Sequence, residues 1–378
     1  MKDIIEIVLF LGTGRIQVPA IKEAKKRGFK IIGIDKNNFS SGKKLCNYFF
    51  NISSNNVELI YKKIAKIRNI KVICIWANND IFLISKSLLE QKLNIKTLSP
   101  NLSKIKLLIN KSKFKKIISG SRLSIKKLVK NNIEFPLLLK PSLGSGSKGI
   151  KFIHNKSQLK KINKKEYVSE NYIKSGTEYG INFYRTKDKI FHLPSVKRFF
   201  DHKISFSPLG TLIVNSKVKN MNLAYRLLEK LTKKLNLYGQ IKYDLILGNY
   251  GPKLFELSSR FHGEIDTTHL FKYINSSVAK FYFAFLRNDY QSYTLRKNNI
   301  NYGYVSIYNH SISKKDILKS FEKFNIHLRE IVKRDNYIPK KIISVKSTND
   351  IYCYAFFETK KNIPKSKFIN LFKHINRL

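Results

Sequence analysis

The sequence is poor in acidic residues and cysteine, and it lacks any long apolar run. It holds 25 Asp and Glu against 73 Lys and Arg in 378 residues, with 3 cysteines. Cys46, Cys74 and Cys353 are odd in number and far apart, which argues against a disulfide framework or a metal cluster and favours reduced thiols. No stretch reaches the ~18 apolar residues that a membrane helix needs. The N-terminus does not resemble a secretory signal, so we expect a cytoplasmic protein that is not membrane-bound.

The formal net charge of +48 suggests at first a nucleic-acid-binding protein. The excess is mostly lysine, is dispersed along the chain, and accompanies many Ile and Asn residues, whose codons are rich in A and T. A dedicated nucleic-acid surface would cluster its charge and favour arginine, whose planar guanidinium can donate two hydrogen bonds to one phosphate. We therefore attribute the charge to compositional drift and keep a basic nucleic-acid-binding protein as an alternative.

Strands and helices are expected to alternate over residues 1–102. This βαβαβ order predicts a doubly wound parallel sheet. Gly12, Gly14 and Asp35 resemble a dinucleotide fingerprint, but Gln17 occupies the position of the third glycine. A tight turn that binds no dinucleotide is the favoured interpretation, and an NAD-dependent enzyme remains an alternative.

A glycine-rich loop between two apolar strands is the most informative segment. It follows Lys140 and contains Gly144, Gly146 and Gly149. Glycine admits positive φ and lets backbone N–H groups close on phosphate oxygens, and the lysine adds a charge for the same anion. Taken alone, the segment is equally typical of an ordinary glycine-rich hairpin.

Two carboxylates lie inside otherwise apolar strands, on either side of a hairpin signal at residues 248–251. If Asp244 and Glu256 share one face of the paired strands, a bound cation would relieve their repulsion. Arg260 can neutralise a phosphate or acyl-phosphate oxygen. The alternative is a charged hairpin in solvent, which the apolar neighbours and the scarcity of acids make less favoured.

The segment 168–178 lies between these two features. Glu170 ends an apolar strand, Ile173 follows it, and Glu178 stands after a turn. Such a segment can present backbone groups to an adenine edge and a carboxylate to ribose hydroxyls. Alone, it is typical of a strand–turn–strand with solvated glutamates, so its position between loop and hairpin carries the argument.

Taken in order, these segments resemble the ATP-grasp superfamily, in particular carboxylate–amine ligases such as the large subunit of carbamoyl-phosphate synthase. The resemblance implies a mixed α/β and α+β fold. A Rossmann-like domain would span residues 1–102, a two-subdomain ATP-grasp domain 103–300, and a small α+β domain 301–378. Within the second domain it implies a phosphate loop at 140–150, a hinge at 168–178 and a metal-binding hairpin at 240–260.

The resemblance also implies the cofactors ATP and Mg²⁺, with Mn²⁺ as a substitute. It assigns contacts with the nucleotide to Lys111, Lys140, Gly144, Ser145, Gly146, Ser147, Gly149, Glu170, Ile173 and Glu178. Metal binding falls to Asp244, Glu256 and Ser258, and a catalytic role to Lys140 and Arg260. The family usually has Asn where this chain has Ser258, and a hydroxyl binds a hard cation more weakly than an amide oxygen. A second metal site is therefore in question.

The implied reaction converts a carboxylate to an acyl phosphate at the expense of ATP and then passes the acyl group to an amine. Carboxylate attack on phosphate needs neutralised charge and no protein nucleophile. We expect small-molecule carboxylate and amine substrates, no nucleic-acid partner, and an assembly that can include a homodimer. The sequence does not identify either substrate.

Several polar residues are expected near those substrates. Asn78, Asn79 and Asp80 follow the third strand, and ligands sit at the carboxyl ends of parallel strands. Lys197 and Arg198 lie where the family often holds phosphate or a substrate carboxylate.

Overall fold

The computed structural model describes residues 4–125, 135–144, 149–160, 162–163, 166–173, 175–201, 204–205, 207–214, 218–262, 269–274, 276–290, 300–333, 350–360 and 362–377. These residues form three sheets with helices packed against them. Ser145, Gly146 and Ser147, three of the residues predicted to contact a nucleotide, lie outside the described residues.

The N-terminal part is a four-stranded parallel sheet. Strands β1 (Ile5–Leu11), β2 (Lys30–Ile34), β3 (Tyr48–Phe50) and β4 (Ile70–Ala77) lie in the order β3-β2-β1-β4, with helices α1 (Val18–Lys26), α2 (Val57–Ile64) and α3 (Leu83–Lys92). The central strands are almost continuously apolar and buried, as expected where helices cover both faces of a sheet. The predicted parallel sheet is confirmed.

The glycine turn after β1 is fixed by Asp35, which follows β2. Thr13 N donates to Asp35 Oδ2 at 2.8 Å, and Asn37 N donates to Oδ1 at 2.9 Å. Gly12 has a φ of 91°, which favours glycine. Because the carboxylate holds the turn itself, the geometry supports a structural turn over a ribose-binding site for NAD.

Two short helices, α4 (Leu102–Ile109) and α5 (Lys111–Ile118), link this sheet to the rest of the chain. Asn110 separates them, because its extended backbone ends α4 and its side chain accepts from Lys113 N at 3.0 Å, capping α5. Lys111 and Lys115 therefore lie one turn apart on the same face of α5.

A three-stranded antiparallel sheet follows, and it carries the glycine-rich loop. Strands β5 (Leu137–Pro141), β6 (Lys151–Ile153) and β7 (Tyr167–Asn171) lie in the order β6-β5-β7, with helix α6 (Lys156–Lys160) beside them. Leu137, Leu139, Ile153 and Leu159 form its own small core. The loop joins β5 to β6, so its two ends are held by paired strands.

The largest element is an eight-stranded antiparallel sheet. Its strands β8 (Thr177–Arg185), β9 (Ile190–Phe199), β10 (Gly210–Ile213), β11 (Gly239–Gly248), β12 (Gly251–Ser258), β13 (Asn301–Ile307), β14 (His327–Lys333) and β15 (Cys353–Thr359) have the order β12-β11-β8-β9-β10-β13-β15-β14. Helices α7 (Met221–Lys234), α8 (Val278–Leu286), α9 (Lys314–Lys323) and α10 (Lys365–Asn376) accompany it. The predicted combination of α/β and α+β parts is confirmed.

Strands β13, β14 and β15, from the part predicted as a separate C-terminal domain, extend the large sheet. Strand β13 pairs with β10 across residues 210–212. The boundaries at 102/103 and 300/301 remain predictions. Within the described part of the chain, no helix combines the length and the apolar composition needed to cross a membrane.

Aromatic packing fixes the parallel sheet against the large sheet. The ring of Trp76, near the end of β4, lies 5.3 Å from that of Phe283 in α8 and 6.2 Å from that of Phe261, which follows β12. All three side chains are buried. This contact brings the carboxyl end of β4 next to the end of β12, and so places Asp80 beside Arg260.

Candidate functional site

The hairpin of β11 and β12 brings the two predicted metal-binding acids together. Asp244 and Glu256 are directly paired across the strands. Lys242 lies two residues before Asp244 and therefore on the same face of β11. Its Nζ is 2.9 Å from Asp244 Oδ2 and 2.6 Å from Glu256 Oε1. The two carboxylates thus share one buried ammonium group.

Asp244 also contacts two further nitrogen groups through its other oxygen. Arg198 Nη1 is 2.5 Å and His262 Nε2 is 2.8 Å from Asp244 Oδ1. Burial alone would raise the pKa of Asp244, but Lys242 and Arg198 hold it well below its usual range. Burial lowers the pKa of His262 to about 4, so its ring is neutral near pH 7.

Gly180 makes room for these contacts. It lies on strand β8 and pairs with Asp244 on the neighbouring strand β11. A Cβ at Gly180 would lie 2.9 Å from both Arg198 Nη2 and His262 Nε2, closer than real Cβ contacts. A side chain here would push the arginine and the histidine away from Asp244.

Arg260 is held by Asp80 from the parallel sheet. Its Nε and Nη2 donate to the two Asp80 oxygens at 2.8 and 2.6 Å, a forked geometry typical of strong arginine–carboxylate pairs. Ser258 Oγ donates to Asp80 Oδ1 at 2.5 Å. Burial would raise the pKa of Asp80, but Arg260 lowers it below its usual range. Ser258 and Arg260, two predicted site residues at the end of the hairpin, therefore contact Asp80 in the predicted substrate cleft after β4.

A second charged group lies on the three-stranded sheet. Lys115 Nζ and Lys140 Nζ lie 2.7 and 2.9 Å from the two oxygens of Glu170, which is buried. Burial alone would raise the pKa of Glu170, but Lys140 and Lys115 lower it. Glu170, predicted to contact a nucleotide, thus positions two lysines. Lys140 Nζ also lies 4.6 Å from the ring of Phe255, the neighbour of Glu256.

The start of the glycine-rich loop is anchored by Lys111. Lys111 N donates to Ser142 O at 2.9 Å, and Lys111 Nζ donates to Gly144 O at 2.6 Å. Gly144 and Gly149 have φ values of 140° and 74°, a region that favours glycine. Lys111 therefore holds the start of the loop in the orientation that the two glycines permit.

A pocket of about 270 Å³ lies between the segment 172–178 and strands β8 and β9. Ile173, Glu178, Lys197 and Arg198 line it, together with Lys365 from α10. Arg198 Nη1 is 3.5 Å from Glu178 Oε1 as well as 2.5 Å from Asp244. One arginine thus joins the pocket to the hairpin acids.

The donor set fits one magnesium ion better than two. Carboxylates are ligands that Mg²⁺ prefers, and Mg²⁺ is usually held by one or two of them plus substrate phosphates. Glu256 has a side chain 30% exposed, whereas that of Asp244 is 7% exposed and contacts three nitrogen groups. Among the described residues, no group of three His, Cys, Asp or Glu side chains is placed to hold a metal ion. The arrangement does not fit a second ion shared by Asp244 and Glu256.

Lys242 and Lys115 were missed by sequence reasoning. Lys242 stands inside an apolar strand, two positions before Asp244, and that spacing alone places both on one face. Lys115 carried no such signal, because it is one of several lysines in a basic helix.

Known proteins resemble part of the chain in sequence. A family model described as "ATP-grasp domain" matches residues 108–264. Formate-dependent phosphoribosylglycinamide formyltransferase of Prochlorococcus marinus (strain MIT 9515) is 29% identical over 171 residues, which cover 40% of this chain and 41% of that protein. The chain therefore spans well under two thirds of the curated relatives that it matches, 41% of each.

Solved structures resemble the whole chain in fold. N5-carboxyaminoimidazole synthetase from Staphylococcus aureus, complexed with ADP, has a TM-score of 0.71 at 14% identity, covering 99% of this chain and 98% of that one. L-amino acid ligase from Bacillus licheniformis has a TM-score of 0.73 at 12% identity, covering 100% and 98%. At these identities the likeness is one of fold.

Proposed function

We propose, from the match of residues 108–264 to the ATP-grasp domain model, that the chain is an ATP-dependent carboxylate–amine ligase. One oxygen of the substrate carboxylate attacks the γ-phosphorus, and ADP leaves with the bridging oxygen. The amine nitrogen then attacks the acyl carbon, the bond to the phosphate oxygen breaks, and inorganic phosphate leaves. The amine proton passes to solvent.

One observation carries the proposal: two charged groups of opposite composition approach each other at Phe255 and Glu256, and Arg198 links the second group to the pocket. Lys140 reaches from the three-stranded sheet to the ring of Phe255, beside Glu256. Arg198 joins the pocket acid Glu178 to Asp244. A nucleoside triphosphate bound between the two groups would have the lysines on one side of its phosphates and a cation-binding carboxylate on the other.

The nucleotide would bind with its base near Ile173 and its ribose near Glu178. Lys140 and Lys111, with the glycine-rich loop, would then approach the phosphates as point charges. The loop would cover the phosphates and exclude water from the acyl phosphate. Glu256 would hold the Mg²⁺ that accompanies ATP, and that ion would neutralise charge on the phosphates.

Arg260 would face the reacting carboxylate and the transferred phosphoryl group. Asp80 holds its fork and raises its pKa above the usual value, against the effect of burial, so the guanidinium stays charged. This group and Asn78 lie at the carboxyl end of β4, where ligands of parallel sheets bind. We propose small-molecule substrates for this cleft, a cytoplasmic location and no nucleic-acid partner. A homodimer remains a prediction that sedimentation analysis can test.

Thermal unfolding tests the class of ligand. Mg-ATP should raise the melting temperature, because it binds the folded state only, whereas NAD and a short DNA duplex should leave it unchanged. Stabilisation by NAD with no effect of ATP would overturn the proposal in favour of the NAD alternative. Stabilisation by DNA alone would favour the nucleic-acid alternative.

A screen of amino acids and other small carboxylates then tests the reaction. The expected result is ADP release that depends on one carboxylate, and a new amide when the matching amine is present. ADP release that no carboxylate stimulates would contradict ligase activity.

A further inference from the structure

The Lys242 ammonium lies where two acids of a metal-binding hairpin converge. It is 2.9 Å from Asp244 Oδ2 and 2.6 Å from Glu256 Oε1, and its side chain is 6% exposed. Burying a charge is costly unless it is paired, so its presence in the interior of a strand depends on these two carboxylates. A protonated amine has three donors and no lone pair, so it occupies the place of a cation and cannot ligate one.

The local charge balance leaves no room for a shared divalent ion. Asp244 and Glu256 supply two negative charges, and Lys242 and Arg198 supply two positive charges in contact with them. A divalent ion between the acids would have to displace Lys242 or face it at close range, where like charges repel strongly in a buried site. Ser258, the third predicted ligand, donates its hydroxyl to Asp80.

We infer that the Lys242 ammonium replaces a second divalent cation in this site, so that the protein works with the one Mg²⁺ that ATP brings. The inference rests on the proposed function for its meaning, but the lysine's effect on metal binding can be measured without activity. Glu256, whose side chain is more exposed than that of Asp244, is then the single protein carboxylate that binds metal. Asp244 serves to position Lys242, Arg198 and His262.

Paramagnetic resonance of Mn²⁺ counts the ions bound to each chain in the presence of ADP. The test compares wild type with Lys242→Met, and uses Lys253→Met as a matched control. Lys253 lies on β12 and its Nζ donates to Arg122 O at 3.0 Å, so the control removes the same charge from the same hairpin away from the acids. We expect one Mn²⁺ in wild type and control, and two in Lys242→Met. Two ions in wild type, or one in all three proteins, would overturn the inference.

A second pair of variants decides the matter if Lys242→Met fails to fold. Glu256→Gln should weaken Mn²⁺ binding by about tenfold or more, whereas Asp244→Asn should change it by less than about threefold, because only Glu256 would be a ligand. Equal losses in both variants would show that Asp244 is a ligand and would overturn the inference.

Failure of the proposed function gives a different pattern. If wild type binds no ADP, that function is lost, and the inference is then decided on nucleotide-free protein. There Lys242→Met should bind Mn²⁺ at least about tenfold more tightly than wild type and Lys253→Met. Equal affinity in the three proteins would overturn it.

Discussion

Two groups of lysine and carboxylate have inverse composition, and they approach each other where Lys140 Nζ lies 4.6 Å from the ring of Phe255, the neighbour of Glu256. On the three-stranded sheet, one carboxylate lies between two lysines, with Glu170 at 2.7 Å from Lys115 and 2.9 Å from Lys140. On the β11–β12 hairpin, one lysine lies between two carboxylates, with Lys242 at 2.9 Å from Asp244 and 2.6 Å from Glu256. The first group carries one excess positive charge, and the second one excess negative charge before Arg198 is counted.

The difference points to a separate role for each group. Excess ammonium favours an anion such as a triphosphate, whereas in the second group Glu256, the more exposed of the two acids, is the carboxylate that we propose binds a cation. In each group, the one residue of opposite charge holds the other two in place: Glu170 holds two lysines, and Lys242 holds two acids. The charge of +48 over the whole chain does not distinguish these sites. The few acids do, because they are placed in buried strands.

The largest predicted effect comes from removing the charge of Glu256, the hairpin carboxylate that we propose binds metal. Glu256→Gln should lower ADP release by about a hundredfold or more, because charge on the phosphates would lose its neutralising partner. Steady-state ADP release measures this, with the exposed Glu322→Gln as a matched control that should retain wild-type rates. Full activity in Glu256→Gln would remove the hairpin acids from the mechanism.

A smaller effect is expected when the group around Lys242 on the β11–β12 hairpin is crowded and the group around Glu170 on the three-stranded sheet is unchanged. Gly180→Ala should destabilise the fold by about 1–3 kcal/mol, because its Cβ would press on Arg198 and His262. Denaturant unfolding measures the change. Gly14→Ala is the control, since φ there is −61° and an added Cβ meets no atom within 4 Å. Equal stability of the two variants would contradict the tight packing of Arg198 and His262.

The smallest effect is a pH dependence of stability that depends on Glu170, between Lys115 and Lys140. Lys140 and Lys115 lower the pKa of Glu170 despite its burial. The stabilising effect of its ionised form is therefore present above the unfolded pKa of about 4.3 and is lost as pH falls below it. The difference in unfolding free energy between wild type and Glu170→Gln should shrink between pH 6 and pH 3. A constant difference would show that Glu170 is not ionised beside its lysines.

Local patterns predicted much of the fold and little of the pairing within the site. The parallel sheet, the glycine-rich loop and the acidic hairpin follow from periodicity and glycine placement, which are local signals. The contacts of Lys242 depend on the register of β11 with β12, which shifts just after Asp244. Asp80 and Arg260 are 180 residues apart, and β10 pairs with β13 across a similarly nonlocal connection. No short pattern contains such information.

Glu170 shows how a correct position can suggest an incomplete role. The family resemblance predicted that Glu170 contacts a nucleotide, and that contact stays a prediction. The structure adds that Lys115, from a helix more than fifty residues earlier, and Lys140 take both of its oxygens. A basic helix offers many lysines, so the sequence could not single out the one that turns inward.

The dissociation constant of ADP, measured by calorimetry with and without Mn²⁺, separates the role of Lys140 in the first group from that of Lys242 in the second. Lys140→Met should weaken ADP binding by about tenfold or more under both conditions, because it removes a charge-assisted contact with phosphate. Lys242→Met should weaken ADP binding when Mn²⁺ is absent. Adding Mn²⁺ should restore the ADP affinity of this variant to within about threefold of wild type, because the ion takes the place of the ammonium. If both variants lose the same affinity under both conditions, the two groups do not have opposite roles.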